Sequence, residues 1–152
     1  MEPVEFEKEC LIRDEYGQQI DQLKPGQIVI GRETSYEESK IRVDLQTVDQ
    51  NDVFREWEFK LYADYKALGQ VLTYVTQRKL ETNFDTEVIG VIAAFEFQPE
   101  LVKTIRVLNL AIELVTVPNW LANAGKVLSG SGSGAIGQAV NFKKYDLQEV
   151  IN

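Results

Sequence analysis

The chain has 152 residues, 44% of them hydrophobic, which predicts one compact domain with a buried core. It has no histidine and a single cysteine, so serine–histidine catalysis, cysteine–histidine catalysis and an internal disulfide are all excluded. The formal net charge of −8 argues against a surface that is basic throughout, the usual footprint of a nucleic-acid-binding protein. Any phosphate contact must therefore depend on local clusters of Lys and Arg.

The beginning of the chain predicts a helix and a short strand. Hydrophobic residues between Phe6 and Leu23 recur mostly at helical spacing. A Lys-Pro-Gly turn then precedes an apolar strand at residues 27–30, and a polar loop follows at residues 34–40. No apolar run approaches the roughly 18 residues that span a bilayer, and the acidic amino terminus is unlike a signal peptide. We therefore expect a soluble, cytoplasmic protein.

Two further strands are predicted to form a hairpin that brings acidic residues together. Residues 41–48 alternate between apolar and polar side chains, the period of a half-buried strand, with Asp44 on the polar side. The alternation predicts three apolar residues on the other side: Ile41, Val43 and Leu45. After a polar turn, the strand at residues 53–62 carries Glu58 and Lys60 on one face. Asp44 can thus lie beside Glu58 across the hairpin.

From residue 63 to residue 117, the sequence predicts helices that alternate with buried strands. A helix is predicted at residues 63–80 and a fully apolar strand at residues 88–95. Another helix begins at Gln98-Pro99-Glu100, and a last strand covers residues 112–117. Four residues of that helical segment are predicted to point inward: Leu101, Ile105, Leu108 and Leu110.

These elements predict a single α/β domain with a central mixed β-sheet flanked by helices, in the order αβββαβαβ. Its core is expected to span residues 1–118. Residues 119–152 are expected to form a C-terminal extension of the same domain, with a flexible Gly/Ser loop at residues 129–134.

Three segments together resemble the PD-(D/E)XK nucleases, also called restriction-endonuclease-like. They are residues 42–45 (RVDL), residues 56–60 (EWEFK) on the next strand, and the pair Gln70 and Tyr74 on the following helix. The last pair is similar to the QxxxY element of RecB-type and related repair nucleases. The resemblance covers about residues 5–117, and Val43 stands where the family name has proline.

The resemblance implies that Asp44, Glu58 and Lys60 are catalytic. Two carboxylates on neighbouring strands can bind Mg²⁺, for which Mn²⁺ can substitute, and the ion polarises a phosphodiester and activates a water. Lys60 shares the face of Glu58 and can orient that water and stabilise the developing charge. A mechanism of this kind needs no histidine. The alternative is an ordinary ion pair across two exposed strands.

The helix that follows the catalytic strand supplies further candidates. Gln70 is a candidate catalytic residue, while Tyr74, Arg78 and Lys79 are candidates for nucleic-acid binding. Each has an ordinary alternative, as a half-buried or solvated helix residue.

Two more acidic residues are candidate metal ligands. In many similar nucleases a glutamate from the first helix reaches the metal. Glu7 or Glu9 lies at that place in the chain, and we expect Glu7 to be the metal ligand. Glu33, at the end of the first strand, resembles an acidic residue of some repair nucleases. A solvated surface position is the alternative for each.

The expected function is Mg-dependent DNA endonuclease activity in restriction, mobile-element, homing or repair. The expected partner is DNA, and cutting both strands of a duplex favours a homodimer or higher homo-oligomer. One alternative is a non-catalytic nucleic-acid-binding or assembly protein that retains the nuclease fold. Another is an α/β domain whose acidic face binds a small ligand or a partner protein.

Overall fold

A computed structural model describes residues 3–36 and 41–123 of the chain. The elements in chain order are helices α1 (Pro3–Gln18) and α2 (Ile20–Leu23), strands β1 (Gln27–Ser35), β2 (Arg42–Asp49) and β3 (Phe54–Ala63), helix α3 (Tyr65–Glu81), strand β4 (Val88–Phe97), helix α4 (Pro99–Val107), strand β5 (Ile112–Thr116) and a 3₁₀ turn (Asn119–Asn123). The predicted single α/β domain and its order of elements are confirmed, with a break in the first helix at Gln19. The expected extension lies outside the described residues after 123, and so does its Gly/Ser loop.

The five strands form one mixed sheet in the order β1-β2-β3-β4-β5. Strands β1, β2 and β3 are antiparallel neighbours, with only a few residues between consecutive strands, whereas β3, β4 and β5 are parallel because α3 and α4 form the crossovers. The hairpin turn between β2 and β3 is closed by Asp49, whose Oδ1 accepts from the backbone N–H groups of Asn51 and Val53. Strand β3 therefore lies in the centre of the sheet, where the antiparallel half meets the parallel half.

A hydrophobic core lies on each face of this sheet. On one face, Tyr16 of α1 packs against Trp57 and Phe59 of β3, with ring centroids 5.4 Å apart in both pairs. On the other face, α3 and α4 contribute Val71 and Ile105 to a second cluster. Alternate residues of β3 face opposite layers. Glu58 and Lys60 consequently face away from the Tyr16 cluster, toward α3.

Three details differ from the sequence expectation. Strand β1 extends to Ser35, so residues 34 and 35 belong to the strand and not to the predicted loop. Val43 and Leu45 do not share a core, because Val43 packs in the α3 cluster and Leu45 in the α1 cluster. The β2–β3 register ends at the pair Leu45↔Trp57, which frees the chain before Leu45 to turn toward the other layer.

The end of α4 is the third difference. Leu101 and Ile105 are buried and Leu110 is partly buried, as predicted, but Leu108 is 63% exposed. The helix stops at Val107, and Asn109 has a φ of 52°, a left-handed conformation that ends helices. None of the described helices is both long and apolar enough to cross a membrane.

Candidate active site

A cavity of about 270 Å³ opens where β2 and β3 separate, between α1 and α3. Its walls come from four parts of the chain: Glu9, Cys10 and Arg13 of α1; Glu33, Arg42 and Asp44 of the β1–β2 hairpin; Glu58 and Lys60 of β3; Gln70 and Tyr74 of α3. The three residues that the resemblance marks as catalytic therefore line one cavity.

Asp44 is fixed at the point where the β2–β3 ladder ends. Its Oδ2 accepts a hydrogen bond of 2.9 Å from the backbone N–H of Phe59. The side chain thus binds the strand that carries Glu58, one residue from Glu58 itself. The expected neighbourhood of Asp44 and Glu58 is observed.

Both carboxylate oxygens of Glu58 contact neighbouring side chains. The Tyr74 hydroxyl donates to Oε1 at 2.6 Å, and Lys60 Nζ lies 3.3 Å from Oε2. Glu58 is 5% exposed and Lys60 is 9% exposed. This is not the exposed strand pair of the ordinary alternative, because both charges are buried.

The charge of Asp44 makes ionisation of Glu58 more costly, whereas a hydrogen bond with Glu58 favours the ionised form of Asp44. Burial, together with the charge of Asp44, raises the pKa of Glu58 to about 7. Burial also raises the pKa of Asp44, although the Phe59 amide and the charges of Arg13 and Lys60 oppose this. The pair titrates as one unit. A cation between these oxygens would relieve the repulsion.

The donor set fits a hard divalent cation. Within residues 3–36 and 41–123, no three His, Cys, Asp or Glu side chains gather as a cluster that could hold a metal ion. Mg²⁺ needs fewer protein ligands than structural zinc does, since it retains water and takes phosphate oxygens. Asp44 and Glu58 supply two carboxylates for it. Gln70 lines the same cavity, and its buried Oε1 has no hydrogen-bond partner among the described residues, so it adds one more polar oxygen to the site.

The structure distinguishes between the candidate acids of the first helix. Glu7 is exposed and is not among the residues lining the cavity, whereas Glu9 is. Glu9 Oε2 accepts from the backbone N–H of Leu61 at 3.1 Å, and burial raises its pKa. Glu33 also lines the cavity, but its Oε1 is bound by Arg13 Nη1 at 3.1 Å.

The candidates on α3 have different placements. Gln70 and Tyr74 line the cavity, and Tyr74 is 3% exposed, so its hydroxyl serves Glu58 and is not free for a surface contact. Arg78 binds Glu56 instead, with its Nε 3.0 Å from Oε1, and its guanidinium carbon lies 5.0 Å from the Phe54 ring centroid. Lys79 is half-buried and, like Arg78, does not line the cavity.

Sequence reasoning missed two cationic residues of the cavity, Arg13 and Arg42. Arg13 is 6% exposed and follows Glu9 by four residues on α1, so both lie on one face of that helix. That spacing was visible in the sequence. Arg42 is two residues before Asp44 on β2, and strand alternation predicts that both lie on the same side, but that alone did not mark Arg42 as a site residue.

No protein-family model matches this chain, and no curated protein matches it significantly. Solved structures do share its fold. A structure of EndoMS in complex with dsDNA has a TM-score of 0.60 at 19% identity, over 72% of this chain and 45% of that one. EndoMS in its apo form has a TM-score of 0.58 at 18% identity, over 72% and 47% of the two chains.

A repair endonuclease from Pyrococcus abyssi is also similar, with a TM-score of 0.57 at 21% identity, over 78% of this chain and 48% of that one. The chain thus spans less than half the length of the proteins whose fold it shares. Identity at this level establishes the shared fold alone.

Proposed function

We propose that this chain is a metal-dependent DNA endonuclease with a site of the PD-(D/E)XK type. One observation carries the proposal: the half-buried Asp44 and the buried Glu58 lie together beside Lys60 in a cavity of a fold shared with a repair endonuclease. Burying two acids together costs stability unless a ligand uses them. The same observation disfavours a binding protein that merely retains the fold.

Each residue has a distinct part in the proposed reaction. Asp44 and Glu58 would hold Mg²⁺, or Mn²⁺ in its place, and Tyr74 keeps the Glu58 carboxylate in position. The bound ion would polarise the phosphodiester and lower the pKa of a water. Lys60 Nζ, close to Glu58, stabilises the negative charge that develops on the phosphate. Gln70 can orient the attacking water through its unpaired Oε1.

Among the expected contexts, DNA repair is supported by one structural relative, the repair endonuclease from Pyrococcus abyssi. The proposed substrate is DNA. Assembly into a homodimer is proposed as well, because one such site cuts one strand at a time and two-fold symmetry would present two sites to a duplex.

The decisive test is cleavage of plasmid, linear and single-stranded DNA with Mg²⁺ or Mn²⁺. Asp44→Ala and Lys60→Ala should each lower the rate by about 10³-fold, since each removes a group that stabilises the transition state. The matched controls are Asp21→Ala and Lys103→Ala, which remove the same side-chain types from exposed positions outside the cavity.

Calorimetric titration with Mn²⁺ tests the site even for an enzyme that needs a special DNA target. Asp44→Ala should abolish binding while Asp21→Ala retains it. Unchanged Mn²⁺ binding in Asp44→Ala, in a folded protein, would overturn the proposed site.

A further inference from the structure

A second cavity, of about 640 Å³, adjoins the candidate active site. It lies over the first two turns of α3, beside the beginning of β2, and shares Arg42, Gln70 and Tyr74 with the first cavity. The two cavities therefore form one continuous groove that begins at the carboxylate pair and continues past Gln70.

The charge of this groove changes along its length. Four carboxylates line the first cavity: Glu9, Glu33, Asp44 and Glu58. Among the described residues, the second cavity is lined by no acidic side chain and by two cationic ones, Arg42 and Lys66. Both are exposed, and neither forms an ion pair with any part of the chain that the structure describes. On a chain of net charge −8, this is a local positive surface beside a cation site.

Gly69 leaves the backbone of α3 without a side chain at this surface. It lies inside α3, where glycine is less favourable than alanine, and a Cβ built on it would meet no atom of the described residues within 4 Å. Packing in the fold therefore does not require a glycine here. A bare helix surface does allow another backbone to approach closely.

We propose that the second cavity binds the phosphodiester backbone of the DNA strand next to the phosphate that is cut. Arg42 and Lys66 would contact its phosphates, and the sugar–phosphate chain would pass over Gly69. This inference rests on the proposed function and adds to it the path of the substrate. It also explains how an acidic protein holds a polyanion, since two exposed cationic side chains line this part of the groove.

Binding of a fluorescent duplex oligonucleotide, and of one of its strands, tests the path without cleavage. Anisotropy is measured against salt in EDTA, in an Asp44→Asn background. Arg42→Gln and Lys66→Gln should each weaken binding several-fold and lower the slope of log Kd against log salt by about one. Arg106→Gln and Lys103→Gln on α4 are the matched controls, because they remove the same charges from exposed positions outside the groove.

Gly69→Ala separates binding from folding. It should raise the melting temperature, since alanine favours the helix, and weaken DNA binding, since the methyl group enters the groove. The subsite is overturned if Arg42→Gln and Lys66→Gln match their controls, if Gly69→Ala binds like its parent, or if the parent binds no DNA. If wild type cuts DNA but Arg42→Gln and Lys66→Gln leave the salt slope of binding unchanged, the nuclease proposal stands and the subsite is overturned. If both variants lower the salt slope but wild type cuts no DNA, the binding subsite stands and the nuclease proposal is overturned.

Discussion

Strand β3 takes part in two charged clusters that behave in opposite ways. Near its beginning, Arg55 binds Asp49 at 2.8 Å and Glu113 at 2.9 Å, and Lys24 lies 3.1 Å from Glu113. Two acids and two bases make this cluster balanced. Burial opposes ionisation there, but hydrogen bonds and charge from Arg55 outweigh it and lower the pKa values of Asp49 and Glu113.

Near the other end of β3, the active-site cluster has an excess of negative charge. Burial raises the pKa values of Asp44 and Glu58. The charge of Lys60 opposes this at both acids, and the charge of buried Arg13 opposes it at Asp44. The balanced cluster joins strands and contributes to stability. The unbalanced one opposes folding, and its raised pKa values support the proposal that it is the functional site.

The largest difference between the clusters is expected in cleavage. Glu58→Gln should reduce the metal-dependent rate by about 10³-fold, because an amide is a poor ligand for Mg²⁺. Glu113→Gln, the same substitution in the balanced cluster, should leave the rate within about two-fold in a folded protein. Initial rates at saturating Mg²⁺ measure both. Equal losses in the two variants would contradict the assignment.

Stability should change in opposite directions in the same two variants. In EDTA above pH 7, Glu58→Gln should raise the free energy of unfolding by on the order of 2 kcal/mol, since it removes a buried charge. Glu113→Gln should lower it by about 1–2 kcal/mol, because Arg55 and buried Lys24 lose an ionised partner. Urea titrations measure both changes.

The pH dependence follows from the sign of each shift. Glu58 keeps its proton up to about pH 7 in the folded state but loses it near 4.5 when unfolded, so its contribution to stability falls as pH rises between these values. Glu113 has a lowered pKa, so its contribution is present above about 4.5 and is lost as pH falls. A stability difference between Glu58→Gln and wild type that does not change from pH 5 to 8 would contradict this account.

A smaller effect is expected from Tyr74→Phe. The hydroxyl of Tyr74 lowers the pKa of Glu58, so its removal should raise that pKa and shift the pH–rate profile upward. The expected loss is about ten-fold at pH 7, largely recovered at higher pH. Tyr62→Phe is the control, on an exposed residue outside the cavity. A rate loss without a shift of the profile would assign Tyr74 to packing.

Much of the site could be predicted because it depends on local periodicity. Alternation on a strand places Glu58 and Lys60 on one face whatever surrounds them, and the helical period brings Gln70 and Tyr74 to one side of α3. The choice between Glu7 and Glu9 depends on the rotation of α1 about its axis. The spacing of hydrophobic residues left that rotation open.

The contacts of Arg78 also could not be predicted from local sequence patterns. It was a candidate for nucleic-acid binding, yet the fold places it against buried Glu56, where Gln46 and Tyr36 also donate to the carboxylate. These partners come from three separate elements of the chain. Their meeting follows from packing, which no local pattern encodes.

The sequence by itself determined the order of elements, the mixed sheet and the face of β3 that carries Glu58 and Lys60, because these follow from the periods of helix and strand. Only the tertiary structure decided which charges are paired and which remain free for a ligand. Arg13 is bound to Glu33, while Arg42 and Lys66 are left beside the site without a carboxylate partner among the described residues. Charge balance at a site depends on distances of a few ångströms between distant segments, and folding alone establishes those distances.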